Sequence, residues 1–243
     1  GEDVEFSTED TGGCCKGLFC GFSNGCNGGQ PSAALKWMSS EGVVTGEGFF
    51  KEHNGTSCKP YTLQPCAHHV PATSKYPACP SAEYSLKCEK SCETEYTTKS
   101  YDNDKTKGTK AYSVESVAAM QTAIMSGGPL AVAFTVYAGT YRTQLYLSFE
   151  TASLPHTPLP SSLRHITPSL DFPTYKTGVY THKTGGELGG HAVEMIGWGV
   201  MDSVEYWVVK NSWNEQWGDG GTFKIKRGTN ECGIENDVTA IDF

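Results

Sequence analysis

No stretch of about 18 consecutive apolar residues occurs in the 243-residue chain, so the sequence offers no membrane-spanning helix. There is no run of Lys or Arg, and the formal net charge is -8 at pH 7, which argues against nucleic acid as a partner. A signal peptide is missing from the start; Gly1-Glu2-Asp3-Val4 reads as an internal beginning, of a processed chain or of a fragment. The C-terminal portion is nearly free of cysteine: nine of the ten lie between Cys14 and Cys92, and Cys232 stands alone beyond them. Paired Cys-x2-Cys knuckles are absent and adjacent Cys14-Cys15 is poor ligand geometry, so a zinc site drawing on His53, His68 and His69 is not supported. No metal and no cofactor is expected.

What is present describes a globular chain. A hydrophobic content of 37% with 11% aromatics is enough for a substantial core, in one large domain or two small ones. Cysteine clustering points to an oxidising compartment, and the sequon Asn54-Gly55-Thr56 fits a secretory route. Pro31 suits the first turn of a helix that carries Ala33, Ala34, Trp37 and Met38 and stops at Gly42. A second helix, capped by Ser116, runs through Val117, Met120 and Ile124 to Gly127-Gly128. From Val43 to about Lys110 the chain is loop-rich and needs cross-links to hold together.

Strand-like runs follow: Leu130 to Tyr137, Gly178 to Thr181, His191 to Trp198, Glu205 to Asn211, Thr222 to Arg227 and Val238 to Phe243. Together they predict an α+β chain in which antiparallel strands close a barrel after a helical and looped portion. Residues 138–170 do not belong to this pattern. They hold Pro155, Pro158, Pro160 and Pro168 without sustained periodicity, and so long a structureless loop is uncommon in a compact domain. The stretch reads as translated non-coding sequence or an insertion without chemistry, with a functional surface loop as the alternative.

The chain is organised around Gly189-Gly190-His191 and Asn211-Ser212-Trp213, on two β-rich runs joined by a short turn. A turn centred near Met201 sets residues whose numbers sum to about 402 opposite each other, which pairs His191 with Asn211. An imidazole held by an amide oxygen is the orienting half of a nucleophile–base–orienter arrangement, with the amide deciding which ring nitrogen carries the proton. Gly189-Gly190 lets another chain approach the backbone, and Trp213 can shield the pair from water. A lone histidine in a sheet is otherwise more often structural.

Gly189-Gly190-His191-Ala192, Asn211-Ser212-Trp213 and Trp217-Gly218-Asp219-Gly220-Gly221 resemble the C-terminal half of papain-family cysteine peptidases. Cys26-Asn27-Gly28-Gly29 resembles that family's substrate-backbone segment, and Cys66-Ala67-His68-His69 narrows the resemblance to cathepsin B. It runs from about Val4 to the end, interrupted once. The resemblance implies a papain-like fold in which residues 1–110 form the disulfide-rich, incomplete helical lobe and residues 111–243 a β-barrel lobe, with a probable insertion at 138–170. It also implies the pairs Cys14–Cys88, Cys15–Cys20, Cys58–Cys92 and Cys66–Cys79, leaving Cys26 without its usual upstream partner and Cys232 as a buried free thiol.

The chemistry implied is that of a Cys thiolate paired with an imidazolium: the thiolate attacks a peptide carbonyl and the imidazolium protonates the departing amine. By motif, His191 is the acid/base, Asn211 its orienter and Trp213 its cover, while Gly28, Gly29, Gly189 and Gly190 contact substrate. His68 and His69, on an occluding-type loop at 66–79, are expected to hold a C-terminal carboxylate and favour removal of dipeptides. Gln216 stands where a carboxylate usually pins that loop, so no ion pair is expected there and the loop should open more easily, favouring endopeptidase action. Asp237 is expected at the base of the S2 pocket for a basic side chain, or else is a solvated strand-end acid.

A segment resembling Gln-x-x-x-Cys-Gly-x-Cys-Trp is not in the sequence. The expectation is therefore that a light chain or N-terminal segment supplies the thiol and that this chain alone is inactive. The alternative is a catalytically silent homologue that binds peptides or inhibitors. Peptide or protein substrates, cystatin-type inhibitors and a lysosomal or extracellular setting complete the implied picture.

Overall fold

The computed structural model describes residues 4–49, 55–81, 84–138 and 171–243, and the backbone alone of 141–144 and 165–168. His53, the sequon residue Asn54 and most of the 138–170 stretch lie outside the described residues.

Ser7 opens the first helix, α1 (Thr8–Cys14): its hydroxyl accepts the Asp10 N–H at 3.0 Å, a conventional N-cap. The apolar period did not predict this helix, because Gly12-Gly13 leave it no stripe. A two-residue ribbon follows, β1 (Lys16–Gly17) against β2 (Ser23–Asn24). Next comes α2 (Pro31–Glu41), with Pro in its first turn and Gly42 at φ 78° as its stop. The only helix from there to residue 109 among the described residues is the single turn α3 (Tyr101–Asp104).

Disulfides tie this region together: Cys14 to Cys88, Cys15 to Cys20, Cys58 to Cys92 and Cys66 to Cys79. A small core of Val44, Cys58 and Tyr101 sits beneath them. Beside it the fully buried Asp10 carboxylate accepts Lys59 Nζ at 3.2 Å and the Tyr101 hydroxyl at 2.8 Å. Burial and that carboxylate push the Tyr101 hydroxyl well above its usual range.

The second part begins with β3 (Lys110–Ser113) and α4 (Val117–Gly127), whose N-cap Ser116 accepts the Ala119 N–H at 3.1 Å. In β4 (Leu130–Tyr137) alternate residues Leu130, Val132, Phe134 and Val136 are buried, the period of a strand with one face on a core. Then come β5 (Tyr141–Gln144), β6 (His165–Pro168), β7 (Val179–Tyr180), β8 (Glu187–Met201), β9 (Val204–Lys210), β10 (Thr222–Lys226) and β11 (Asp237–Asp242). Within the 138–170 stretch, expected to lack regular structure, β5 and β6 pair as a separate antiparallel ribbon.

Seven strands form one sheet in the order β3-β11-β4-β8-β9-β10-β7. Its pairs are antiparallel except β10 with β7. The expected barrel is not closed: β3 and β7 are the two ends of the order and do not pair with each other. One face carries the main core, in which Val193, Met195, Trp207, Val209, Phe223 and Ile225 meet the inward residues of β4. Each such side chain contributes about 1.5–3 kcal/mol through burial. Among the described residues no helix is long and apolar enough to cross a membrane.

The β8–β9 hairpin differs in register from the sequence expectation. Its turn is Asp202-Ser203, with φ of 49° and 65°, the two positive values of a tight hairpin turn. Ile196 is then an extra residue between the Met195↔Val209 and Gly197↔Val208 pairs. Below this bulge facing residues follow Glu194↔Lys210, so His191 and Asn211 are diagonal rather than directly opposite.

Candidate active site

His191 lies in β8, paired with Phe134 of β4; Asn211 comes one residue after β9 ends, its backbone N–H donating to Gly221 O at 2.9 Å. The diagonal separation is within reach of two long side chains, and His191 Nε2 lies 2.8 Å from Asn211 Oδ1. Ser212 N–H donates to the same oxygen at 2.8 Å. A backbone N–H can only donate, so the atom facing the ring is the carbonyl oxygen. Nε2 therefore carries the proton, and Nδ1 of the neutral ring keeps the lone pair. Asn211 is 9% exposed, and its Nδ2 is buried without a partner among the described residues.

Rings enclose the imidazole. Trp213 stacks on His191 with centroids 5.2 Å apart, and Phe134 approaches at 5.9 Å. Phe172, wholly buried, makes edge contacts with both, at 4.8 Å to Phe134 and 5.4 Å to Trp213. Burial holds His191 below the usual imidazole value, and the hydrogen bond to Asn211 partly opposes that push.

His68 and His69 reach this cluster from the loop closed by Cys66–Cys79. Their rings lie 5.3 and 4.2 Å from Trp213, and 4.4 Å from each other. Both titrate below the usual value, through burial first and then through positive charge on neighbouring imidazoles, His191 in both cases. Asn214 Nδ2 donates to His68 O at 3.1 Å, and Lys75 forms an ion pair with Glu215. The expectation of a loop without an ion pair is thus corrected. Gln216 supplies none, but the adjacent carboxylate of Glu215 meets Lys75 from the loop.

Gly28, Gly29, Ser23, Gln30 and Ala192 line one cavity of about 230 Å³. At Gly29 a Cβ would lie 2.5 Å from Ser23 Oγ, so no side chain fits. Gly189 has φ 137°, a glycine conformation, and a Cβ at Gly189 or Gly190 would meet nothing within 4 Å, leaving that backbone open in front. Asp237 opens β11, paired with Ala133, which in turn pairs with Ala192. It shares their face of the sheet but stands two strands from Ala192, outside the lining of the cavity.

The structure therefore gathers His191, Asn211, Trp213, His68 and His69 in one cluster, brings Gly28 and Gly29 to Ala192, and leaves Asp237 apart. Cys26 is an exposed free thiol. Cys232 is free and half-buried rather than fully buried, its thiol pushed up to about 12 by burial and the Glu231 carboxylate. Among the described residues no group of three His, Cys, Asp or Glu is placed to hold a metal ion. Sequence reasoning missed Phe172, Lys75 and Glu215. Phe172 has no signal of its own outside the apolar pattern, and the ion pair spans 140 positions with no local signal.

The family model described as papain family cysteine protease matches the chain in two stretches, residues 1–157 and 150–241. The chain is 43% identical over 238 residues to "Cathepsin B-like cysteine proteinase 6" of Caenorhabditis elegans, covering 97% of this chain and 52% of that protein. It is 37% identical over 242 residues to "Cathepsin B-like cysteine proteinase" of Schistosoma japonicum, covering 99% of this chain and 58% of that protein. The chain thus spans little more than half the length of these relatives. Among solved structures, "proCathepsin B S9 from Trypanosoma congolense" is similar in fold, with a TM-score of 0.66, 24% identity, and coverage of 98% of this chain and 60% of that one. Coverage, identity and fold agree, and the chain belongs to the papain family of cysteine proteases.

Proposed function

We propose that the chain supplies the His and Asn of a cathepsin B-like cysteine peptidase site, with the thiol brought by a light chain or N-terminal segment. The observation that carries this reading is the 2.8 Å contact of His191 Nε2 with Asn211 Oδ1, in an amide locked by Ser212 N–H. With Nε2–H so engaged, Nδ1 is the nitrogen that takes the thiol proton. The resulting imidazolium then protonates the departing amine of a peptide substrate. In this reading Gly28, Gly29, Gly189 and Gly190 receive the substrate backbone. His68 and His69 receive a C-terminal carboxylate, giving peptidyl-dipeptidase action beside endopeptidase action when the 66–79 loop lifts. Asp237 selects a basic side chain at the far end of the Ala192 face. The exposed Cys26 is the point at which the thiol-bearing partner is tethered.

The same reading divides the chain at about residue 110, with the small core before it and the main core after it, and takes 138–170 as an insertion. Four disulfides favour a lysosomal or extracellular setting, where cystatin-type inhibitors are natural ligands. The test has two arms. The chain alone, given a dibasic fluorogenic peptide at mildly acidic pH, yields no turnover. Refolded with a segment of the Gln-x-x-x-Cys-Gly-x-Cys-Trp type, it yields turnover that His191→Ala abolishes. Turnover by the chain alone that a thiol alkylator stops would refute the first arm, and peptide binding without turnover in the second would favour the silent homologue.

A further inference from the structure

The Asp171 side chain has no exposed surface, yet it takes no part in the chemistry above. Its Oδ1 accepts the Phe172 N–H at 2.7 Å and the Tyr180 hydroxyl, and its Oδ2 faces His182 Nδ1 at 3.1 Å. Its backbone carbonyl accepts both the N–H and the hydroxyl of Thr174, each at 3.0 Å. One carboxylate therefore ties the turn at 171–174 to β7 and to residue 182. A buried carboxylate is costly unless donors surround it, so the question is what this arrangement holds in place.

Phe172 is next in the chain, and its ring touches both rings that flank His191. Phe134 stands 4.8 Å from Phe172 and 5.9 Å from His191, and Trp213 stands 5.4 Å from Phe172 and 5.2 Å from His191. Phe172 also meets Trp217 at 5.1 Å and Phe223 at 4.7 Å, so it has no free side toward which to slip. Close-packed interiors transmit displacement rather than absorb it. A shift of the Phe172 backbone is felt on two sides of the imidazole at once.

We propose that Asp171 is a positioning residue for His191, acting through Phe172 on the Phe134 and Trp213 rings that hold the imidazole. The proposal rests on His191 as the acid/base, but its readout is the imidazole itself. A composite peptidase that fails to form leaves it standing, and it can fail while that peptidase forms.

The experiment is a histidine-selective NMR titration of the whole chain. In Asp171→Ala the His191 midpoint rises toward the ordinary value of about 6.5 as the rings admit water. Its ring-current-displaced proton signals move toward those of an exposed histidine. Asp171→Asn retains an oxygen for the Phe172 N–H and the Tyr180 hydroxyl and keeps both readouts near the parent. Met120→Ala, an equally buried truncation on α4 outside the ring set, lowers stability without moving His191. A folded Asp171→Ala protein with the parent midpoint, or a Met120→Ala protein that shifts as far, overturns the proposal. Should Asp171→Ala not fold, Tyr180→Phe removes one donor and must still raise the midpoint; an unchanged midpoint there overturns it equally.

Discussion

Replacing Asn211 with Ala removes the oxygen that His191 Nε2–H and Ser212 N–H share. Two donors lose their acceptor, the partly buried His191 Nε2–H and the N–H of the exposed Ser212, and the expected cost is about 1 kcal/mol of folding stability. The effect on the imidazole is more diagnostic. Burial pushes its midpoint down while the bond to Asn211 pushes it up, because an imidazolium donates more strongly than a neutral ring. With that bond gone and burial left to act alone, the His191 midpoint in the variant falls further below the ordinary imidazole value. The sign carries into stability. The folded chain binds this proton less readily than the unfolded chain, so His191 contributes stability above about pH 6.5 that is lost as pH falls toward the folded midpoint. In Asn211→Ala that loss extends to lower pH. Histidine NMR titration gives the midpoint, and urea unfolding at neutral and acidic pH gives the slope. A midpoint that stays or rises would show that the amide does not act on His191 as argued.

Lys59→Met leaves the buried Asp10 carboxylate without its cation and with the Tyr101 hydroxyl as its remaining side-chain donor of oxygen type, and should cost about 3–5 kcal/mol in urea unfolding. Asp10→Leu in the same chain should recover most of that loss, and no recovery would contradict the account. Lys75→Ala or Glu215→Ala removes a pair exposed on both sides, so the urea unfolding midpoint should stay where it is in the parent. Limited proteolysis within residues 66–79 should nevertheless become faster, and equal nicking rates would show that the pair does not hold the loop. Iodoacetamide applied without reductant at mildly alkaline pH should add one group by mass, on Cys26, because the Cys232 thiol is pushed up to about 12. Peptide mapping that places the adduct on Cys232 would overturn that assignment.

The two helices opened by Pro31 and Ser116 and the strand β4 were legible because caps and alternation are local signals. The His191–Asn211 contact was legible for a less secure reason. The sequence placed the hairpin turn at Met201 and could not see the bulge at Ile196, so the register was wrong. The contact survived because a diagonal pair of long side chains reaches as far as a direct one. Helix α1 was missed because Gly12-Gly13 erase its apolar stripe, although Ser7 and Asp10 carried a cap signal. Disulfide connectivity was not readable from spacing, which leaves many pairings open. The open sheet order and the Lys75–Glu215 pair depend on residues far apart in sequence, where no periodicity operates.

The two ends of the 138–170 segment are fastened to each other and not only through it: Phe172 packs on Phe134 of β4, and Tyr137 stacks on His182, which faces Asp171. The distance along the chain from Tyr137 to Asp171 can therefore change without moving either end. That makes the segment a natural port for grafted sequence: a reporter domain spliced there would leave the ring set around His191 undisturbed.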